Sequence, residues 1–87
     1  MQSVMVIGAG KGGTAILNLL SEMKTLKTRV IIDKNLQAPG ILIAKKEGIP
    51  YGNDWRTFID KEIDIIIDVT GDEQVYQELQ QFKEDFI

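Results

Sequence analysis

The sequence predicts an α/β fold, a small three-layer parallel sheet with strand order 3-2-1-4. Three observations carry this. Apolar runs such as Val4-Met5-Val6-Ile7, Val30-Ile31-Ile32 and Ile65-Ile66-Ile67 alternate with segments of helical spacing, the pattern of strand–helix–strand units. The runs are near-continuous rather than alternating, as in parallel strands covered on both faces. A glycine-rich turn, Gly8-Ala9-Gly10-Lys11-Gly12-Gly13, separates the first run from the first helical segment.

Each element follows from local signals. The first strand is placed at residues 3–7 and the first helix at 12–23, where Ala15, Ile16, Leu19, Leu20 and Met23 recur at helical spacing. The second strand spans 28–33. Pro39 suits the first turn of a second helix, which carries Ile41, Leu42 and Ala44 and stops at Gly48. Ile49-Pro50-Tyr51 reads as a short third strand, its proline implying an edge or a strand start. Asp54 is placed to cap a third helix, with Trp55, Phe58 and Ile59 on one face. The fourth strand covers 63–69. Asp72 or Thr70 then caps a last helix, Thr70 and Glu73 having capping-box spacing. In that helix Val75, Leu79, Phe82 and Phe86 form an apolar stripe, read as packed core. Right-handed crossovers generate the order 3-2-1-4. They put a ligand crevice between strands one and four, at the carboxyl ends where strand order reverses.

The glycine turn opens onto that crevice. Gly8 permits a tight turn out of the strand, Gly10 lets the backbone approach a pyrophosphate, and Gly13 lets the helix pack closely on the strand. The free N–H groups and positive dipole end of the helix then face phosphate. Twenty residues beyond Gly13 the second apolar run ends in Asp33, placed to accept hydrogen bonds from the adenosine ribose hydroxyls. Strand, Gly-x-Gly-x-x-Gly turn, helix, strand and terminal acid together form the dinucleotide-binding fingerprint. A carboxylate at this position repels a 2′-phosphate, so the expected cofactor is NAD, with NADP less favoured. Lys34 next door weakens that preference without reversing it. The end of the fourth strand, Asp68-Val69-Thr70-Gly71, converges on the same crevice.

Composition bounds the function. Eighty-seven residues make one domain with a modest core. The expected unit is a single dinucleotide-binding domain over residues 1–87, whole or a piece of a longer protein. No apolar run reaches membrane-spanning length and no signal peptide opens the chain, so cytoplasmic location is expected. There is no cysteine and no histidine, which excludes thiolate metal sites and removes the commonest general base. No metal site is expected. A net charge of −3 without a basic patch argues against nucleic acid.

Beyond these signals the chain resembles a known group of Rossmann domains. The resemblance lies in Val6-Ile7-Gly8-Ala9-Gly10-Lys11-Gly12-Gly13, Ile32-Asp33-Lys34-Asn35, Ala38-Pro39-Gly40, Gly48-Ile49-Pro50 and Ile67-Asp68-Val69-Thr70-Gly71-Asp72. These look like the NAD-binding halves of homoserine- and aspartate-dehydrogenase-type oxidoreductases. They look equally like the short dinucleotide-binding domains at the N-termini of some bacterial sensor kinases and transcriptional regulators. The resemblance implies backbone contacts from Gly10, Lys11 and Gly12 to the pyrophosphate, and from Asp33 to the adenosine ribose. It also implies that Thr70 and Gly71 line the path toward the nicotinamide ribose. No counterpart of the dehydrogenases' catalytic domain is seen in the sequence.

Other candidate chemistry is thin. Asp64 and Asp68 share one face of the fourth strand and are read as flanking or capping groups rather than an acid–base pair. Lys11 can place its ammonium near a phosphate, or stand as a solvated loop lysine. Trp55 can stack an adenine, but its neighbours Phe58 and Ile59 favour a core role. The expected function is an NAD(H)-binding module without its own catalytic site, regulatory or part of a larger protein. The alternative is the cofactor half of an NAD-dependent dehydrogenase. A methyltransferase-like domain is disfavoured by the apolar Val6-Ile7 before the first glycine. A potassium-channel regulatory domain fits Pro39-Gly40 and the fourth-strand ending less well. A homodimer, or a C-terminal domain, is expected to cover the free edge of the fourth strand.

Overall fold

The computed structural model describes residues 1–59 and 62–85, with side chains described through residue 82. Four parallel strands, β1 (Gln2–Ile7), β2 (Leu26–Ile32), β3 (Tyr51–Gly52) and β4 (Ile65–Asp68), form one sheet in the order β3-β2-β1-β4. Helices α1 (Lys11–Ser21), α2 (Pro39–Glu47) and α3 (Glu73–Asp85) follow β1, β2 and β4 respectively. This is the α/β architecture and strand order that the sequence predicts.

Side-chain alternation along the strands sorts the core into two layers. Val4, Val6 and Ile31 point into a cluster with Leu17, Leu20, Ile41 and Ala44 of α1 and α2, joined by Ile65 and Ile67. Met5, Ile7, Val30 and Ile32 point to the other face, where Trp55, Val75, Leu79, Phe82 and Ile66 pack. The β4 isoleucines thus serve both layers, as their unbroken run implies. Val4, Met5, Val6, Ile31 and Ile41 are each 0% exposed. At about 1.5–3 kcal/mol per fully buried side chain, central β1 is the anchor of both layers.

Three expectations need correction. The inward face of α1 is Gly13, Leu17 and Leu20, with Ile16 at its margin. Ala15 is exposed, and Leu19 and Met23 are 55% and 40% exposed. The helix ends at Ser21, so Met23 lies beyond it. The segment after β3 is a 3-10 turn, Trp55–Thr57, not an α-helix. Asp54 does cap it, accepting the Arg56 N–H at 3.0 Å, and the Phe58 N–H closes on the Trp55 carbonyl at 3.1 Å. An apolar pair three residues apart satisfies a three-residue turn as well as an α-helix. Finally, β3 is Tyr51–Gly52 and β4 is Ile65–Asp68, both shifted or shortened against the sequence expectation.

Trp55 is core, as expected, and of the α3 stripe Val75 is buried while Leu79 and Phe82 are half-buried and pack against that layer. Trp55 is 6% exposed and meets Phe82 edge to face, with ring centroids 5.7 Å apart. Phe86 lies outside the described residues. Among the described residues no helix is long and apolar enough to cross a membrane.

Register places the strand ends together. Ile7 pairs with Ile32 on one side and with Asp68 on the other. The loops after β1, β2 and β4 therefore leave the sheet at one level, at the point where chain order reverses across it.

Candidate functional site

The loop after β1 is built on two tight approaches. Gly8 sits at φ +107°, and a Cβ there would lie 3.2 Å from the Thr70 backbone nitrogen and the Val69 carbonyl carbon. Only glycine combines that backbone conformation with so close a neighbour. A Cβ on Gly13 would collide with the Gly8 carbonyl oxygen, so Gly13 sets how closely α1 packs onto the end of β1. Gly10 is different, for nothing lies within 4 Å of where its Cβ would stand. The chain keeps this position open toward solvent, at the N-cap of α1.

That helix start suits an anion. No side chain caps α1 and no acidic residue occupies its first turn. Its first N–H groups and positive dipole end therefore have neither a side-chain cap nor a first-turn acid of the helix to satisfy them. Lys11 adds a cation beside them.

Asp33 follows β2 and reaches across to the glycine loop. Its Oδ2 accepts the Ala9 N–H at 2.7 Å and its Oδ1 accepts the Asn35 N–H at 2.8 Å. Asn35 in turn accepts the Gln37 N–H at 2.9 Å, so the loop into α2 is wired by successive side-chain turns. A carboxylate has about four lone-pair sites, so each Asp33 oxygen retains acceptor capacity for a hydroxyl.

The loop after β4 completes the wall. Asp68 accepts both the Thr70 N–H at 3.0 Å and the Thr70 hydroxyl at 2.7 Å. Thr70 Oγ1 then accepts the Asp72 N–H at 3.1 Å, and Asp72 caps α3 by accepting the Gln74 N–H at 2.8 Å. Asp72 thus caps α3, and Thr70 organises the loop before it. Asp64 accepts the Ser3 N–H at 2.7 Å. Both carboxylates, one just before β4 and one at its end, therefore hold backbone. Lys34 reaches toward Asp72, its Nζ 3.9 Å from Oδ2.

Together these segments enclose a cleft of about 390 Å³. Gly8, Gly10, Lys11, Gly12, Asp33, Lys34 and Thr70 line it, with Ile7, Ile32, Asn53, Trp55, Val69, Asp72 and Val75. Gly13 and Gly71 are not among the lining residues. Gly13 packs helix to strand, and Gly71 has a left-handed φ of +67° with open space around it. Of the lining residues that the fingerprint does not name, Ile7, Ile32 and Val69 flank the strand ends. Asn53 follows β3 directly, and that position was its one signal in the sequence. Among the described residues no acid cluster suits a metal ion.

A family model described as dihydrodipicolinate reductase, N-terminus, matches residues 2–85. The chain belongs to that family. Membership in the dihydrodipicolinate reductase N-terminal family, with the 3-2-1-4 sheet, supports a Rossmann-type NAD(P)-binding domain. The family named is neither of the two groups that the motifs resemble, although the fold and nucleotide class are the expected ones. Comparison with curated proteins and with solved structures gives no significant match. Seen as a member of this family, the chain places its glycine loop, Asp33 and the β4 loop around one cleft.

Proposed function

We propose that this chain is an NAD(H)-binding module without a catalytic site of its own, regulatory or part of a larger protein. The observation that carries it is the open space at Gly10 beside the uncapped start of α1, with Asp33 on the same cleft. The pyrophosphate takes the outward N–H groups of residues 10–12, and Lys11 adds a charge to the phosphates. The adenosine ribose hydroxyls donate to the remaining lone pairs of Asp33. Thr70 and Gly71 border the path toward the nicotinamide ribose.

NAD is preferred over NADP. A 2′-phosphate beside the Asp33 carboxylate meets like charge, and Lys34, 83% exposed and turned toward Asp72, only partly offsets it. The absence of turnover rests on the chain's own groups. The sequence has no histidine, and Asp33, Asp68 and Asp72 each accept a backbone N–H. Hydride transfer needs a substrate held against the nicotinamide and a proton donor or acceptor.

A second reading is favoured by the family match: the chain is the cofactor-binding part of an NAD-dependent oxidoreductase. The continuation of the reading frame separates the two, a catalytic domain supporting the second. Calorimetric titration with NAD, NADH, NADP and ATP tests the binding itself. Tighter binding of NAD(H) than NADP is expected; no NAD binding refutes the module, and equal or tighter NADP binding refutes the role of Asp33. Sustained NADH production by the purified chain with a 2-amino or 2-hydroxy acid would refute the absence of turnover.

A further inference from the structure

The start of α2 is capped in an unusual way. Its N-cap residue is Ala38, which has no side-chain acceptor, and Pro39 brings no N–H. The first available donor of the helix is therefore the Gly40 N–H, and it goes to the Ala9 carbonyl at 2.7 Å. The acceptor belongs to the glycine loop rather than to the helix or its own N-terminal arm. On the other side of the same residue, the Ala9 N–H is held by Asp33 at 2.7 Å. Ala9 is 0% exposed and immediately precedes Gly10, where the loop opens toward solvent. Both polar groups of Ala9 are thus fixed, one by the ribose-reading acid and one by α2.

Gly40 has no room for a side chain. A Cβ there would stand 3.0 Å from both the Ala9 Cβ and the Ala9 oxygen, and 3.1 Å from Ile31 Cδ1. Any side chain therefore displaces the Ala9 segment or lifts α2 from it. Ile31 Cδ1 is the end of a flexible side chain and can turn aside, but the Ala9 Cβ and carbonyl oxygen move only with the backbone of the glycine loop.

We propose that Gly40 is a positioning residue of the nucleotide site, which, given the dinucleotide reading above, fixes the loop that receives the pyrophosphate without touching the ligand itself. Placement of the α2 start and of residues 10–12 are then one variable. A nucleotide that orders the loop also steadies α2, and a displaced α2 weakens nucleotide binding.

The test compares Gly40→Ala with Ile41→Val, a control in the same helix whose side chain is 0% exposed and which leaves the Gly40–Ala9 bond intact. A loop shift of a few tenths of an ångström should weaken NAD about tenfold in Gly40→Ala, measured by calorimetry. Ile41→Val should lower the melting temperature and leave NAD affinity at the wild-type value. Wild-type affinity in Gly40→Ala, or an equal loss in Ile41→Val, overturns the proposal. Amide spectra of the ligand-free proteins read the same coupling without nucleotide. In Gly40→Ala the amides of residues 9–12 should shift; shifts confined to α2 overturn it. Wild-type protein that binds no NAD overturns the nucleotide reading, while those spectra still decide whether Gly40 sets the loop. If Gly40→Ala does not fold, hydrogen exchange in the wild type decides instead. NAD should slow exchange at Gly40 and Leu42 as well as in residues 10–13, and protection of the loop alone overturns the coupling.

Discussion

At Asp33 one carboxylate holds the Ala9 and Asn35 N–H groups at 2.7 and 2.8 Å while facing the cleft. A change there acts on the loop as well as on the proposed ribose contact. Asp33→Asn replaces one acceptor oxygen by an NH2 donor, which then faces a backbone N–H in either orientation. Hydrogen bonds to a charged group are worth about 1.5–3 kcal/mol, so this variant should melt earlier and bind both NAD and NADP more weakly. A clean switch to NADP at an unchanged melting temperature would show that the carboxylate serves the ribose alone. The glycines separate in the same experiment. Gly10→Val fills open space and should keep the wild-type melting temperature while losing the NAD-induced rise. That rise is about 2.7 kcal/mol of stabilisation for ligand at a hundred times its Kd. Gly13→Val meets the Gly8 carbonyl and should lose about 1–3 kcal/mol or more, with or without ligand. Normal NAD stabilisation in Gly10→Val would place the nucleotide elsewhere.

Elements show which parts of this fold can be read from sequence and which cannot. The glycine turn, the acid after β2 and the strand order were legible because each depends on local chemistry: a φ that favours glycine, a strand-terminal carboxylate, a crossover rule. The face of α1 was not. Leu17 and Leu20 point inward while Leu19 is 55% exposed, yet all three are leucines on a helix rich in apolar residues. Spacing pointed to Ala15, Ile16, Leu19, Leu20 and Met23, whereas the close approach of Gly13 to Gly8 goes with an inward face of Leu17 and Leu20. Trp55 and Phe58 likewise fit an α-helix or a single 3-10 turn, and only the contact of Trp55 with Phe82 settles what they pack against. The role of Gly40 was hidden because its partner, Ala9, is remote in sequence. The cap of α3 shows the converse, since Asp72 was legible as one of two candidates. Asp72→Ala removes the bond to the Gln74 N–H and should cost about 1 kcal/mol. For a domain of this size that corresponds to a fall of roughly 4–8 °C in melting temperature. An unchanged melting temperature would mean that Thr70 takes over as the cap.

Across the whole molecule, the glycine loop and the edge of β4 follow from the same topology. The order β3-β2-β1-β4 puts β1 at the centre and leaves β4 paired on one side within the described sheet. Beside its outer edge lies a groove of about 550 Å³, lined by Ile66, Tyr76, Leu79 and Phe82 and rimmed by Asp64 and Asp68. An unpaired edge beside apolar side chains favours strand addition, whereas flanking carboxylates oppose it. Two β4 strands related by a two-fold axis would pair antiparallel and bring two grooves together, the commonest closed arrangement for a homodimer. Net charge −3 per chain, with four Asp64 and Asp68 carboxylates around the paired edge, makes the approach repulsive at low ionic strength. Salt screens exposed charges beyond about 8–10 Å at 0.1–0.15 M, so association of this chain should strengthen as salt is raised. Light scattering at micromolar concentration should then show a mass moving from near 9.8 kDa toward twice that value between low and high salt. Tyr76→Lys, which places a charge at an exposed position of the groove, should hold the chain at the lower mass throughout. A wild-type chain that stays monomeric at every salt concentration would show that β4 needs no second copy to cover it.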